Sequence, residues 1–141
     1  MTEGAGLRLI DALDELAQAL VATLDADACI VSRVLGDVLI IVTQASSSGD
    51  VLNLGQGFLV SDYPATSAVL EAGVAGALTV TDAGVDDAEA QLLRELGYAT
   101  LLMSPLVVAG EAWGLVELYR RDAKPFTAAE IAATQRLARI G

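Results

Sequence analysis

The stretch Ala99–Arg121, ATLLMSPLVVAGEAWGLVELYRR, decides how the rest of the chain is read. Two apolar runs, Thr100–Val108 and Ala112–Tyr119, flank Ala109-Gly110. That pattern predicts a β-hairpin, because glycine accepts the positive φ a two-residue loop demands. With Ala109 and Gly110 as the loop, Leu102 lies opposite Glu117, Ser104 opposite Leu115, and Leu106 opposite Trp113. Alternation then puts Leu102, Ser104, Leu106, Trp113, Leu115, Glu117 and Tyr119 on one face. Leu101, Met103, Val107, Gly114, Val116 and Leu118 form the other. Both faces are apolar, so the hairpin is expected at the centre of a sheet covered on two sides. Glu117 is the exception, a carboxylate in a buried strand.

Working outward, Leu9, Leu13, Leu16, Leu20 and Leu24 recur at spacings of four, three, four and four, which predicts a first helix over about 3–24. Ala28–Val34 and Val38–Gln44 read as strands joined by Leu35-Gly36-Asp37, and Val51–Leu54 as a third short strand. Ser61-Asp62-Tyr63-Pro64 introduces a helix over about 64–71, with Ser61 or Asp62 as cap and Gly73 as stop. Ala77–Thr81 reads as a strand. A further helix runs from the acidic Asp82–Asp87 segment to Glu95, closed by Gly97. Thr127-Ala128-Ala129-Glu130 is a capping box opening a last helix through Ile140. The order favours an α+β fold: a central antiparallel sheet of five or six strands, the terminal helices on one face, and short helices and loops on the other.

Composition narrows the function. The 141 residues suit one domain, and 54% hydrophobic against 19% charged residues describes a core-rich globular chain. No apolar run reaches the roughly 18–20 residues of a membrane span, and no signal peptide is evident. A net charge of −11 disfavours nucleic acid and anionic membrane surfaces as partners. The absence of histidine removes the usual general base, haem ligand and commonest metal ligand. The single cysteine, Cys29, fits a reducing cytoplasm and reads as a small core hydrophobe. Asp82, Asp86 and Asp87 match no calcium loop and read as helix-capping acids. Gly55-x-Gly57 reads as a turn. No Ser-His-Asp set exists, so no enzyme activity and no cofactor are expected.

The segments GFLVSDYPATSAVLEAG at 57–73, TVTD at 79–82, LLMSPLVVAGEAWGLVELY at 101–119 and PFTAAEI at 125–131 resemble a GAF domain, a sensory relative of the PAS fold. The resemblance is greatest to GAF domains of actinobacterial-type signalling proteins and covers residues 1–141 as a single domain. It implies a small-molecule pocket between the sheet and the middle helices. Phe58, Tyr63 and Trp113 are the large side chains expected to reach it, with Leu92 a weaker candidate better read as core. Glu117 matches a position where cyclic-nucleotide-binding members carry a base-contacting glutamate; the alternative is a structural pair with Arg33, Arg94 or Arg121. Those members also carry Asn-Lys, Phe and Asp-Glu, which align with Arg120, Arg121, Phe126, Glu130 and Ile131. Only Phe126 is kept outright, so the cyclic-nucleotide pattern is broken. Bilin-binding relatives use a Cys beside a His, and free methionine sulfoxide reductases use several cysteines; this chain lacks both arrangements. The resemblance thus implies a sensor of an unknown small molecule, relaying through its terminal helices to a fused or separate output domain. A structural dimerisation module without ligand is the alternative. A homodimer is expected through those helices, from a second row of Ile10, Ala17 and Val21 with Ile131, Thr134, Leu137 and Ile140.

Overall fold

The hairpin forms where the sequence puts it, but with a different pairing. Strands β5 (Thr100–Val108) and β6 (Glu111–Arg120) are joined by Ala109 and Gly110. Both loop residues have positive φ, 52° and 81°, the twist that suits a two-residue hairpin. Val108 faces Glu111 and Val107 faces Ala112, yet Leu106 faces Gly114, so Trp113 is an extra, unpaired residue. This β-bulge slides the rest of β6 by one position. Met103 therefore meets Glu117, and Leu102 meets Leu118. A one-residue slip exchanges partners across the whole strand pair. The expected face is corrected accordingly: Glu117 lies with Leu101, Met103, Leu115 and Tyr119, while Leu102 and Leu106 lie on the opposite side.

Gly114 has a reason to be glycine. A Cβ there would sit 2.0 Å from the Ser32 carbonyl oxygen, so β1 and β6 approach too closely for any side chain.

The computed structural model describes residues 2–48 and 58–141, and side chains from residue 8 onward. The remaining elements are α1 (Thr2–Thr23), β1 (Ala28–Leu35), β2 (Val38–Ser46), β3 (Phe58–Leu59), α2 (Pro64–Ala72), β4 (Gly76–Thr79), α3 (Asp87–Leu96), α4 (Ala128–Leu137) and β7 (Arg139–Ile140). The sheet runs β3-β2-β1-β6-β5-β4, antiparallel throughout, with β7 pairing parallel to β5. Pro105 falls in the gap along β5 between the stretches paired with β4 and β7, where a missing N–H leaves no ladder bond unmade. The expected strand at Val51–Leu54 and the Gly55-x-Gly57 turn lie outside the described residues.

Two cores result, one per face. Leu13, Ala17, Leu20, Val21 and Leu24 of α1 pack with Cys29, Val31, Leu102, Leu106, Val116 and Leu118, joined by Phe126 and Ala138 near α4. Across the sheet, Val69 of α2 and Leu93 of α3 pack with Ile30, Leu101, Met103, Leu115 and Tyr119. The terminal helices thus share one face and the middle helices the other.

Three local expectations need correcting. The last helix stops at Leu137, because Arg139 and Ile140 pair with β5 instead. Neither Ser61 nor Asp62 caps α2: Tyr63 is its N-cap without a side-chain bond, and the free N–H of Ala65 donates instead to Asp86, 3.1 Å away. Asp86 also caps α3 through Ala88, so one carboxylate ties two helix starts together. Finally, Ala17 and Val21 do not form a leftover row on α1, since the chain's own sheet buries both. The capping box of Thr127 and Glu130 is present in full.

Candidate functional site

Between the sheet and the middle helices lies a cavity whose whole void, mouth included, is about 350 Å³. The space open to the centre of a water molecule is only about 20 Å³, enough for roughly one water. Ile30 and Ser32 of β1, Leu39 and Ile41 of β2 and Phe58 of β3 form one wall; Tyr63, Thr66, Glu89 and Leu92 form the helical wall. Glu117 and Tyr119 close it from β6. Of the side chains singled out from sequence, Phe58, Tyr63, Leu92 and Glu117 meet here. Phe58 and Tyr63 stack edge to face, centroids 5.9 Å apart. Trp113 does not join them. The bulge turns it to the α1 side of the sheet, where Arg33 stacks over its ring at 4.6 Å.

Glu117 pairs with no arginine. The Tyr119 hydroxyl, two residues along the same strand face, donates to its Oε2 at 2.9 Å. Arg33 lies over Trp113, the Arg94 guanidinium donates to the Val80 carbonyl, and Arg121 approaches Asp27 and the Tyr98 ring. Burial raises the Glu117 carboxyl to about 7, against the opposing pull of the Tyr119 hydrogen bond.

Glu89 is the site residue that the sequence reading missed. It is 2% exposed, and among the described residues its one partner is the Thr66 hydroxyl at a long 3.4 Å. That hydroxyl has an alternative acceptor in the Met103 sulfur at 3.3 Å. Burial, then the charge of Glu117, then that of Asp86 push Glu89 up to about 8. The first turn of a helix favours an anion, but desolvation and two neighbouring acids outweigh it. A signal was present: Glu89, Leu93 and Leu96 stand at i, i+4 and i+7, the spacing of a buried stripe.

The other acids have structural tasks. Asp82 accepts from the Thr79 N–H and hydroxyl at 2.8 and 2.7 Å, and Asp86 is the shared cap. Among the described residues, no three His, Cys, Asp or Glu side chains converge as a metal site. No helix there is long and apolar enough to cross a membrane.

On the opposite face sits the buried Arg120. The Arg120 guanidinium donates to the carbonyls of Leu24, Asp25, Lys124 and Pro125, and pairs with Glu130 at 2.9 Å. It also stacks on Phe126 at 3.8 Å. Arg120 is thus the partner of Glu130.

Comparison with solved structures identifies the same architecture in sensory proteins. A phycoerythrobilin-bound GAF domain from a cyanobacterial phytochrome superposes with TM-score 0.80 at 18% identity, over 94% of this chain and 82% of that one. A GAF domain/HD domain protein from Geobacter sulfurreducens gives 0.73 at 19% identity, over 92% and 86%. The chromophore-binding domain of a Stigmatella aurantiaca bacteriophytochrome gives 0.72 at 14% identity; 89% of this chain matches, spanning only 50% of that protein chain. At these identities the likeness is one of fold. No curated protein matches the chain. The GAF domain family model matches residues 8–140, nearly the whole sequence, and the chain belongs to the GAF domain family.

Proposed function

We propose that this GAF domain binds a small molecule in the cavity between the sheet and α2–α3 and has a regulatory rather than a catalytic role. The observation that carries the reading is the pair of sparsely bonded carboxyl groups, Glu89 and Glu117, on an otherwise apolar cavity wall. A domain built only for packing gains nothing from two such groups, because buried acids without full partners destabilise the fold. The cavity as it stands admits about one water, so a larger ligand must part α2 or α3 from the sheet. That displacement is the signal.

β6 offers the relay to the terminal helices. Glu117 points to the cavity, and three residues on, Arg120 holds the end of α1 through Leu24 and the start of α4 through Glu130. A shift of β6 therefore changes both terminal helices together, for an output domain to read. Dimerisation through these helices now rests on a smaller patch, Ile10 at 42% and Leu137 at 48% exposure. The near-filled cavity favours a second reading, a ligand-free dimerisation module, and the two differ experimentally. Native mass spectrometry of freshly purified protein should show a retained small molecule that is lost in Leu39→Trp, a variant that fills the cavity. An empty protein whose melting temperature no metabolite panel moves would leave the structural module as the answer.

A further inference from the structure

We infer that the cavity selects a small organic cation, with a protonated amine or amidinium head between Glu89 and Glu117 and an apolar body against Phe58, Tyr63 and Leu92. The inference rests on the ligand-binding reading above and adds the chemical class. Three observations carry it.

The first is a census of positive charge. The chain has eight Lys and Arg and no His, and none of the eight lines the cavity. Arg33, Arg94, Arg120 and Arg121 are engaged elsewhere, as described, while Arg8, Lys124, Arg136 and Arg139 are exposed on other surfaces. Residues 49–57 contain neither Lys nor Arg, so that segment supplies none either. The acids' countercharge has to be a proton or to come from outside.

The second is the state of Glu89. This side chain is almost wholly buried, yet its Oε1 accepts no hydrogen bond among the described residues. Among the described residues no fully buried side-chain oxygen or nitrogen lacks a partner, so this Oε1 keeps some exposure, and Glu89 lines the cavity. Oε1 of Glu117 is equally unbonded, since Tyr119 takes only Oε2. Two carboxylate oxygens thus face a space lined by apolar groups and hydroxyls, ready to accept N–H donors.

The third is the approach. Tyr63 and Leu92 also line an adjoining open hollow whose charged members are Asp62 and Glu95. An acidic entrance draws cations and repels anions. A bare divalent ion fits less well, because two carboxylates fall short of the six to eight oxygens calcium takes.

The titratable groups facing the pair are Tyr63 from the β3–α2 connection, Asp86 from the start of α3, and Tyr119 from the sheet, while Cys29 senses Glu117 only from the opposite, α1-side face. None is cationic, so a bound cation displaces protons from Glu89 and Glu117, and binding strengthens as pH rises through their titration.

The test is isothermal titration calorimetry of the full chain with phenethylammonium and benzamidinium, against phenethyl alcohol and phenylacetate as neutral and anionic counterparts. The cations should bind one to one, more tightly at pH 8.5 than at pH 6. Heats measured in phosphate and in Tris at pH 7 should differ by the release of about one proton. Glu89→Gln and Glu117→Gln, checked for folding by circular dichroism, should each weaken cation binding about 30-fold or more, as loss of one member of a buried charge pair does. Should one variant not fold, the other and the wild-type proton release carry the test. Equal binding of the alcohol, or cation binding untouched by both variants, would overturn the cation assignment while leaving a ligand cavity in place. No binding by either cation would also overturn it. The broader reading falls only if native mass spectrometry and the metabolite panel find the protein empty as well.

Discussion

Arg120 and Glu89 are each 2% exposed, on opposite faces of one sheet. Arg120 meets four carbonyls, a carboxylate and an aromatic ring. Glu89 meets one hydroxyl at 3.4 Å and two other acids. The first arrangement compensates a buried charge as fully as a protein can; the second leaves it open. A fold that satisfies one buried ion so completely has the means to satisfy another. The difference separates a structural face, α1 and α4 locked together through Arg120, from a face whose buried acid is left sparsely bonded.

The sharpest way to break this contrast is to remove Arg120. Arg120→Met leaves the carbonyls of Leu24, Asp25, Lys124 and Pro125 without a donor and Glu130 without its cation. Urea unfolding should show a loss of about 3–5 kcal/mol. A loss under about 1 kcal/mol would mean that this face does not depend on the clamp.

Gly114→Ala attacks the junction between the faces. The new methyl meets the Ser32 carbonyl, so β1 and β6 must separate or the bulge must move. A loss of about 3 kcal/mol is expected, at the upper end for overpacking. Unchanged stability would show that the bulge relaxes without strain.

The two faces should also answer pH with opposite signs. Glu89 and Glu117 sit at about 8 and about 7, above the ordinary 4.5, so the native state holds protons the unfolded chain has released. Their contribution to stability is greatest below pH 4.5 and falls as pH rises towards 8. At pH 8, Glu89→Gln should be clearly more stable than the wild type; at pH 4.5 the two should nearly coincide. Glu130 behaves inversely. The Thr127 N–H first, and then Arg120, hold it below its ordinary value, so its contribution is lost as pH falls. Thermal melts from pH 3.5 to 8.5 on the wild type, Glu89→Gln and Glu130→Gln resolve the two limbs. A wild type equally stable at pH 5 and 8 would contradict the account of the cavity acids.

The smallest effect concerns Asp86. Asp86→Ala frees the N–H groups of Ala65 and Ala88 and should lose about 1–2 kcal/mol, more than Asp86→Asn, which keeps one acceptor oxygen. Amide exchange at those two positions shows whether both helix starts loosen together, as a shared cap requires.

The sequence alone determined whatever depends on near neighbours. The leucine spacing of the first helix, the Gly73 and Gly97 stops, the Thr127–Glu130 box and the loop at Ala109-Gly110 are settled within a few residues. They emerge as read, because capping and turn geometry are local. Glu117 stood out for the same reason, as a charge in an apolar strand. Its partner was within reach too, since Tyr119 shares its face two residues on.

Tertiary structure decided the rest. Trp113 left the cavity because a bulge in β6 turns it to the other face, next to Gly114, where β1 crosses too close for a side chain, a contact between segments some eighty positions apart in the chain. Ala17 and Val21 changed from a free row to core because the sheet covers more of α1 than one stripe. Arg120 acquired its role from the Leu24 carbonyl, 96 residues away. Glu89 became part of a site only when α3 was laid over β6. Periodicity tells which residues will be covered; it holds no information on what covers them, and the chemistry of this cavity lies in that second fact.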